Sequence, residues 1–328
     1  MVRKIFLSLF FLSLISFAQN KDGCYNCHKD VVGDKPTALY SEDVHFKLGI
    51  SCADCHGGDR TSDDMDVAMS KERGFIGVPK GDKIIDVCLR CHSNEETMKK
   101  FNSKVDVSQF KLFKASVHGK SEIATCVTCH GVHEIKRASD PRSPVYPTRE
   151  IRLCSKCHSD ANYMKRFNPG LPTDQFEKYK TSVHGQRILR GDIKVATCSD
   201  CHSAHDIFPA NDPRSTVFAS NLPTTCARCH SDASYMRGYK IPTDQYEKYV
   251  KSVHGRALLE KGDLSAPACN DCHGNHGAIP PGVKSISHVC GTCHALNAEM
   301  FSRSPHAPVF EAKKIPQCEV CHGYHLIK

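Results

Sequence analysis

The sequence predicts a mainly α-helical chain with extensive coil and little or no sheet, elongated, and built from five repeats that each hold two copies of one cysteine motif. Three observations lead there. The motif CxxCH occurs ten times and uses all twenty cysteines. Longer segments recur about every 65 to 72 residues: LCSKCHSDANYM (153–164) matches TCARCHSDASYM (225–236), and PTDQFEKYKTSVHG (172–185) matches PTDQYEKYVKSVHG (242–255). The chain has no tryptophan and many short polar connections, which is too little to build an ordinary side-chain core for 328 residues.

At the N-terminus, Arg3 and Lys4 precede an apolar run from Ile5 to Phe17, and Ser16-Phe17-Ala18 supplies small residues where a signal peptidase cuts. Residues 1–18 therefore read as a cleaved secretory signal and 19–328 as the mature chain. An uncleaved anchor is the weaker alternative, because the run is shorter than the roughly 17 to 25 residues that span a bilayer. Cys24 invites a lipoprotein reading but belongs to the first CxxCH motif.

That motif is the attachment signature of haem c: two thiols bind the porphyrin vinyl groups and the following histidine ligates iron. The cysteine pairs are Cys24 and Cys27, Cys52 and Cys55, Cys88 and Cys91, Cys126 and Cys129, Cys154 and Cys157, Cys198 and Cys201, Cys226 and Cys229, Cys269 and Cys272, Cys290 and Cys293, and Cys318 and Cys321. The proximal histidines are His28, His56, His92, His130, His158, His202, His230, His273, His294 and His322. A zinc ribbon or a disulfide framework would not place a histidine after every second cysteine ten times in ten. Ten covalently bound haems in the mature chain leave roughly 31 residues for each, so the porphyrins must form the core and the apoprotein should be largely unfolded. Short helices should follow the motifs.

The repeats begin near Cys24, Cys88, Cys154, Cys226 and Cys290. Each holds a first motif, a stretch ending in a lone histidine, a second motif and, in four of the five, a histidine three residues after that motif. The lone histidines are His45, His118, His184, His254 and His306; the post-motif ones are His133, His205, His276 and His325; His288 completes a set of ten candidate distal ligands. In the middle repeats the glycine of SVHG suggests that the lone histidine closes a helix. His205 lies too near His202 in sequence to reach the far face of the same ring, so it should reach a neighbouring haem. The alternative for any of these is a surface or propionate-binding histidine. Met98, Met164, Met236 and Met300 each follow a first-motif proximal histidine by six residues, and packing against a porphyrin edge is preferred to ligation. The tetrapeptide DPRS, at 140–143 and 212–215, reads either as a plain turn or as a turn presenting Arg142 and Arg214 to a propionate.

The formal charge of +8 is misleading about partners. Removing the signal leaves about +6, and ten ferric haems with ionised propionates take the holoprotein to about −4. Nucleic-acid binding has no support.

These features resemble a multihaem c-type cytochrome over essentially all of the chain after Ala18. The alternation of a lone histidine with CxxCHxxH, and the missing last histidine after Cys52-Ala-Asp-Cys55-His56, resemble the periplasmic decahaem cytochromes of porin-cytochrome conduits. The SVHG segments and CNDCHGNHGAIP (269–280) are also similar to periplasmic multihaem subunits that accept electrons from membrane quinol-oxidising cytochromes b. The resemblance implies electron transfer along bis-histidine haems between respiratory redox partners. Those partners would be a membrane quinol-oxidising cytochrome b, or an outer-membrane porin with an extracellular cytochrome, with peripheral membrane association. The longer spacing from SVHG to the next CxxCH at His184 and His254 departs from the conduit pattern.

The rival class is a multihaem reductase or oxidase of a small nitrogen or sulfur compound, which needs one open haem. No CxxCK variant is present, and ten candidate histidines face ten haems. The segment CHGGDR (55–60) in the first repeat marks where an unusual site would fall. Electron transfer in the periplasm, rather than catalysis, is the expected function, with an extracellular, filament-forming cytochrome as a variant. Quantifying haem against protein should return about ten haems per chain, and the chain made without haem should give the circular dichroism of a largely unfolded protein; a folded apoprotein would refute the porphyrin-core expectation.

Overall fold

The computed structural model describes residues 22–278 and 286–328, so the expected signal at 1–18 lies outside the described residues. The chain is helical with extensive coil, and no strand occurs among the described residues. It divides into two compact units. The first holds the described residues up to Lys83 together with Val132–Ile135, and the second holds Ile84–Gly131 and Lys136–Lys328.

Most CxxCH motifs lie within helices rather than before them; Cys293 and His294 follow the end of the helix Ile286–Gly291. Second motifs are short helices of their own: Cys52–His56, Cys126–His130, Cys198–His202, Cys269–His273 and, with one preceding residue, Gln317–His322. First motifs close longer helices, Asp82–His92, Pro147–His158 and Leu222–His230. The reason is local. CxxCH contains no breaker, and a capping residue stands just before it. Ser51 accepts from the amide of Ala53 at 3.1 Å while its own amide donates to Asp54 at 2.7 Å. The amide of Thr197 donates to Asp200 in the same way, at 2.7 Å. Pro147 and Pro223 sit in the first turns of their helices, where the missing amide costs nothing.

Each second-motif histidine is followed by a residue with positive φ: Gly57, Gly131, Ser203, Gly274 and Gly323, at 70°, 79°, 67°, 82° and 73°. Their ψ values lie near ±170°, a region that is essentially glycine-only. The chain therefore turns sharply away after the proximal histidine. At Ser203 this turn carries the strain of a side chain, partly offset by the Ser203 hydroxyl bonding the carboxylate of Asp206.

The lone histidines of the middle repeats do not close a helix. They lie at the second position of a new one, in Val117–Lys120, Val183–Leu189 and Val253–Leu259. Ser116, Ser182 and Ser252 cap these helices, accepting from Gly119, Gly185 and Gly255 at 3.2, 2.9 and 3.0 Å. Their hydroxyls donate back to the carbonyls of Phe113, Tyr179 and Tyr249 in the preceding helix at 2.6 to 2.7 Å. The glycine is required by close approach: a Cβ on Gly185 would stand 1.9 Å from the Tyr179 carbonyl oxygen. SVHG is thus a helix-to-helix corner that aims an imidazole, and its glycine is not the stop signal the sequence suggested.

Backbone bonds join each corner to the next repeat. Val44, Val117, Val183 and Val253 donate to the carbonyls of Ile135, Ile207, Ala278 and Ile327 at 2.8 to 3.1 Å. Those acceptors each lie two residues beyond a post-motif histidine. Tyr40, Tyr179 and Tyr249 donate their hydroxyls to Ile50, Ala196 and Pro267, two residues before the second motif of their own repeat.

The side-chain core is small. Ile151, Ile188 and Val195 form one buried cluster, backed by Phe176, Tyr179 and Tyr239. Met98, Met164 and Met236 are buried, in line with a packing role, whereas Met300 is exposed. Replacing Ser203 with glycine should relieve the strained turn and stabilise the holoprotein by about 1 kcal/mol in denaturant unfolding; a loss of stability would mean that the Asp206 bond outweighs the strain.

Candidate haem-binding centres

Among the described residues, seven opposed pairs join a proximal histidine to a candidate distal one. The pairs are His56 and His133, His118 and His158, His130 and His205, His184 and His230, His202 and His276, His254 and His294, and His273 and His325. All seven ring-centroid separations fall between 5.8 and 6.1 Å. An imidazole nitrogen binds a metal at about 2 Å and the ring centre lies about 1 Å further out, so two opposed ligands on one iron have centroids about 6 Å apart. The pairs have the spacing of an axial ligand set. Direct stacking, at van der Waals distance, would be much closer.

The register is regular. A lone histidine faces the first motif of the next repeat, as His118 faces His158. A post-motif histidine faces the second motif of the preceding repeat, so His205 meets His130, while its near neighbour His202 meets His276. The positive-φ turn accounts for this by sending His205 away from the ring of His202. The two kinds of pair differ in geometry: second-motif pairs have interplanar angles of 9° to 17°, and first-motif pairs 34° to 78°.

The glycine-rich segment of the first repeat does not leave His56 alone. Residues 57–77 fold back on the motif: Ile76 donates its amide to the His56 carbonyl at 2.8 Å, and His56 Nδ1 donates to the Gly77 carbonyl at 2.8 Å. His133 faces the ring at 5.9 Å.

The remaining predicted ligands are the proximal histidines His28, His92 and His322 and the candidates His45, His288 and His306. His28 Nδ1 bonds Asp34 at 2.6 Å and His45 Nδ1 bonds Asp43 at 2.8 Å. His306 is exposed beside Phe310, and His288 and His322 are exposed. Sequence reasoning missed the two aspartates. Aligning DVHF with the SVHG corners would have shown Asp43 in the place of the capping serine.

Electrostatics suits ligation. Burial, reinforced by the neighbouring imidazole of His276, pushes the His202 pKa down to about 4. Burial likewise lowers His118, His130, His158, His184, His205, His230, His276 and His325. Each is thus held neutral at pH 7, with a lone pair available, which is the ligating form.

The thiols of neighbouring motifs lie together. Within a repeat, the first cysteines of the two motifs touch: Cys88 with Cys126, Cys154 with Cys198, Cys226 with Cys269, and Cys290 with Cys318 share hydrogen bonds. Between repeats, Cys129 lies in the field of Cys157, Cys201 in that of Cys226, and Cys272 in that of Cys293. Consecutive attachment points along the second unit are therefore neighbours in space.

Cys91 is half-buried and Cys321 is exposed, and Cys229 bonds the side chain of Tyr235. The assignment of these three thiols rests on the attachment motif.

Glu150 supports one attachment point, accepting from the Ser199 amide at 2.7 Å and from the hydroxyls of Thr197 and Ser199. It lies beside Cys154 and Cys198, but the attachment motif claims both thiols, which sets aside a separate metal site there. The DPRS segments are turns locked by their own ion pairs: Arg142 binds Asp140 at 3.0 Å, and Arg214 binds Asp212 at 2.6 Å while stacking over Phe208.

Ten CxxCH motifs on a helical chain with no strand among its described residues, with imidazoles opposed at iron-spanning distance and a small side-chain core, define a protein that binds several haems covalently. The chain is a multihaem c-type cytochrome, and it transfers electrons. The family model for cytochrome c3 matches residues 44–159, and that for cytochrome c554 and c-prime matches 13–57. The chain is 22% identical to the multiheme cytochrome MtrA of Shewanella baltica over 273 residues, covering 78% of this chain and 67% of that protein. It is 27% identical to the cytochrome c-type protein NrfB of Escherichia coli over 150 residues, 44% of this chain and 69% of the relative. No solved structure matches it.

A His205→Ala variant should show one high-spin haem, and that signal should vanish when Cys126→Ala and Cys129→Ala delete the neighbouring attachment point. If instead the signal vanished with Cys198→Ala and Cys201→Ala, His205 would serve its own motif and the register would be wrong.

Proposed function

We propose that this chain is a periplasmic decahaem cytochrome that passes electrons along a row of bis-histidine haems between respiratory redox proteins. The observation that carries this reading is the set of seven opposed imidazole pairs at 5.8 to 6.1 Å, each drawn from two different repeats. Haem c, when bound, supplies an iron that takes up and releases one electron.

The chain's own residues do the rest. The paired cysteines hold each ring at two points, and the paired histidines occupy both axial positions, so the coordination changes little between oxidation states. Buried, neutral imidazoles keep the ligand lone pairs available without competition from protons. Contact between cysteines of successive motifs brings attachment points close enough for transfer from one to the next. The cysteines, proximal histidines and distal candidates named from the sequence are the proposed haem site, and the expected signal at 1–18 supports export. No helix among the described residues is long and apolar enough to cross a membrane. Likeness to MtrA and NrfB favours protein partners as donor and acceptor, and either a quinol-oxidising cytochrome b or an outer-membrane porin complex fits.

The enzyme reading requires an open axial position. The segment that replaces the post-motif histidine in the first repeat was the place to look, and His56 there is faced by His133. Electron transfer without catalysis is therefore preferred.

An electron paramagnetic resonance spectrum of the air-oxidised protein, with haem counted in the same sample, tests the proposal. It should contain only low-spin ferric haem, in two groups that reflect near-parallel and crossed imidazole planes. A stoichiometric high-spin signal that shifts on adding nitrite or hydroxylamine would overturn it in favour of a reductase.

A further inference from the structure

The histidines differ in what meets the nitrogen that faces away from the iron. His28 Nδ1 donates to Asp34 Oδ2 at 2.6 Å. The second oxygen of that carboxylate is fixed by the amide and hydroxyl of Thr37 at 2.9 and 2.6 Å, because Asp34 also caps the helix Lys35–Tyr40. His45, in the same compact unit, is held in the same way. Its Nδ1 bonds Asp43 at 2.8 Å, and Asp43 is 1% exposed and also accepts from the Ile135 amide at 2.6 Å. Two further histidines are held differently. His56 Nδ1 donates to the neutral carbonyl of Gly77, and His325 Nδ1 is buried with no hydrogen-bond partner.

An imidazole that gives its outer proton to a carboxylate becomes a stronger electron donor to the metal, and a stronger donor favours the oxidised iron. We propose that Asp34, acting through its bond to His28, lowers the potential of the haem of Cys24 and Cys27. Asp34 is a positioning residue: it touches the ligand, not the iron. This rests on the proposal that the CxxCH motifs carry haem.

The test is an optical redox titration of the holoprotein, with haem counted in every sample. Asp34→Asn keeps a neutral acceptor and removes the charge. One haem's share of the absorbance change should move to higher potential, Asp34→Glu should restore the wild-type curve, and the shift should disappear in a Cys24→Ala, Cys27→Ala background. Asp30→Asn removes the same charge from an exposed position two residues from His28 and should leave the curve in place. A wild-type curve for Asp34→Asn, or an equal shift from Asp30→Asn, would overturn the inference. If Asp34→Asn loses a haem, Thr37→Val, which loosens the carboxylate without removing it, should give a smaller shift in the same direction; no shift there would overturn it equally. If Cys24→Ala, Cys27→Ala left the haem count unchanged, the haem reading itself would fail.

Discussion

Two imidazoles on opposite faces of one porphyrin must stand about 6 Å apart, and no chain can deliver both from adjacent positions. The rest of this structure follows from that constraint. In the proposed reading each motif supplies one ligand and receives the other from elsewhere. In the seven opposed pairs the second histidine lies one repeat away, forward for the lone histidines and backward for the post-motif ones. Neighbouring repeats are joined by this exchange, and two motifs with some seventy residues have too little apolar side chain to stand alone.

The local devices serve that exchange. A positive-φ residue after each second motif turns the chain off the ring it has just ligated. The serine and glycine of each SVHG corner set a second helix tightly against the first and aim the histidine between them. The valine amide at the same corner bonds a carbonyl two residues past the incoming post-motif histidine, so the two kinds of ligand are positioned by one another's backbone. Tyr179 shows how closely these functions are combined. Its carbonyl accepts from Ser182, its ring packs on the small core, and its hydroxyl anchors the approach to Cys198.

Packing and conduction have a common basis in the proposed reading. A core made of porphyrins puts cofactors in contact because nothing else fills the interior. The contacts between cysteines of successive motifs are the protein's side of that arrangement. Differences along the row then arise from what surrounds each ligand. The N-terminal unit offers carboxylates to two of its histidines, and the C-terminal end leaves His325 without any partner at Nδ1.

Much of this was legible in the sequence, because covalent attachment and repetition leave marks at fixed spacing. The ten motifs, the repeat period, the ten further histidines and the helical character, with no strand among the described residues, required only local rules. The argument that His205 could not serve the ring of His202 was also available, since it rests on reach along the chain. Which haem it does serve was not. That depends on where the turn at Ser203 sends it and on which repeat packs alongside, and the sequence carries no record of either. The SVHG glycine was misread for a related reason: a glycine at a helix end and one under a neighbouring carbonyl look identical until the preceding helix is in place. Asp34 and Asp43 were missed because a bond to an imidazole's outer nitrogen is set by the orientation of the ring. Composition and spacing determined the attachment motifs and the candidate ligands, because covalent attachment is local, and only the tertiary packing decided which side chains meet.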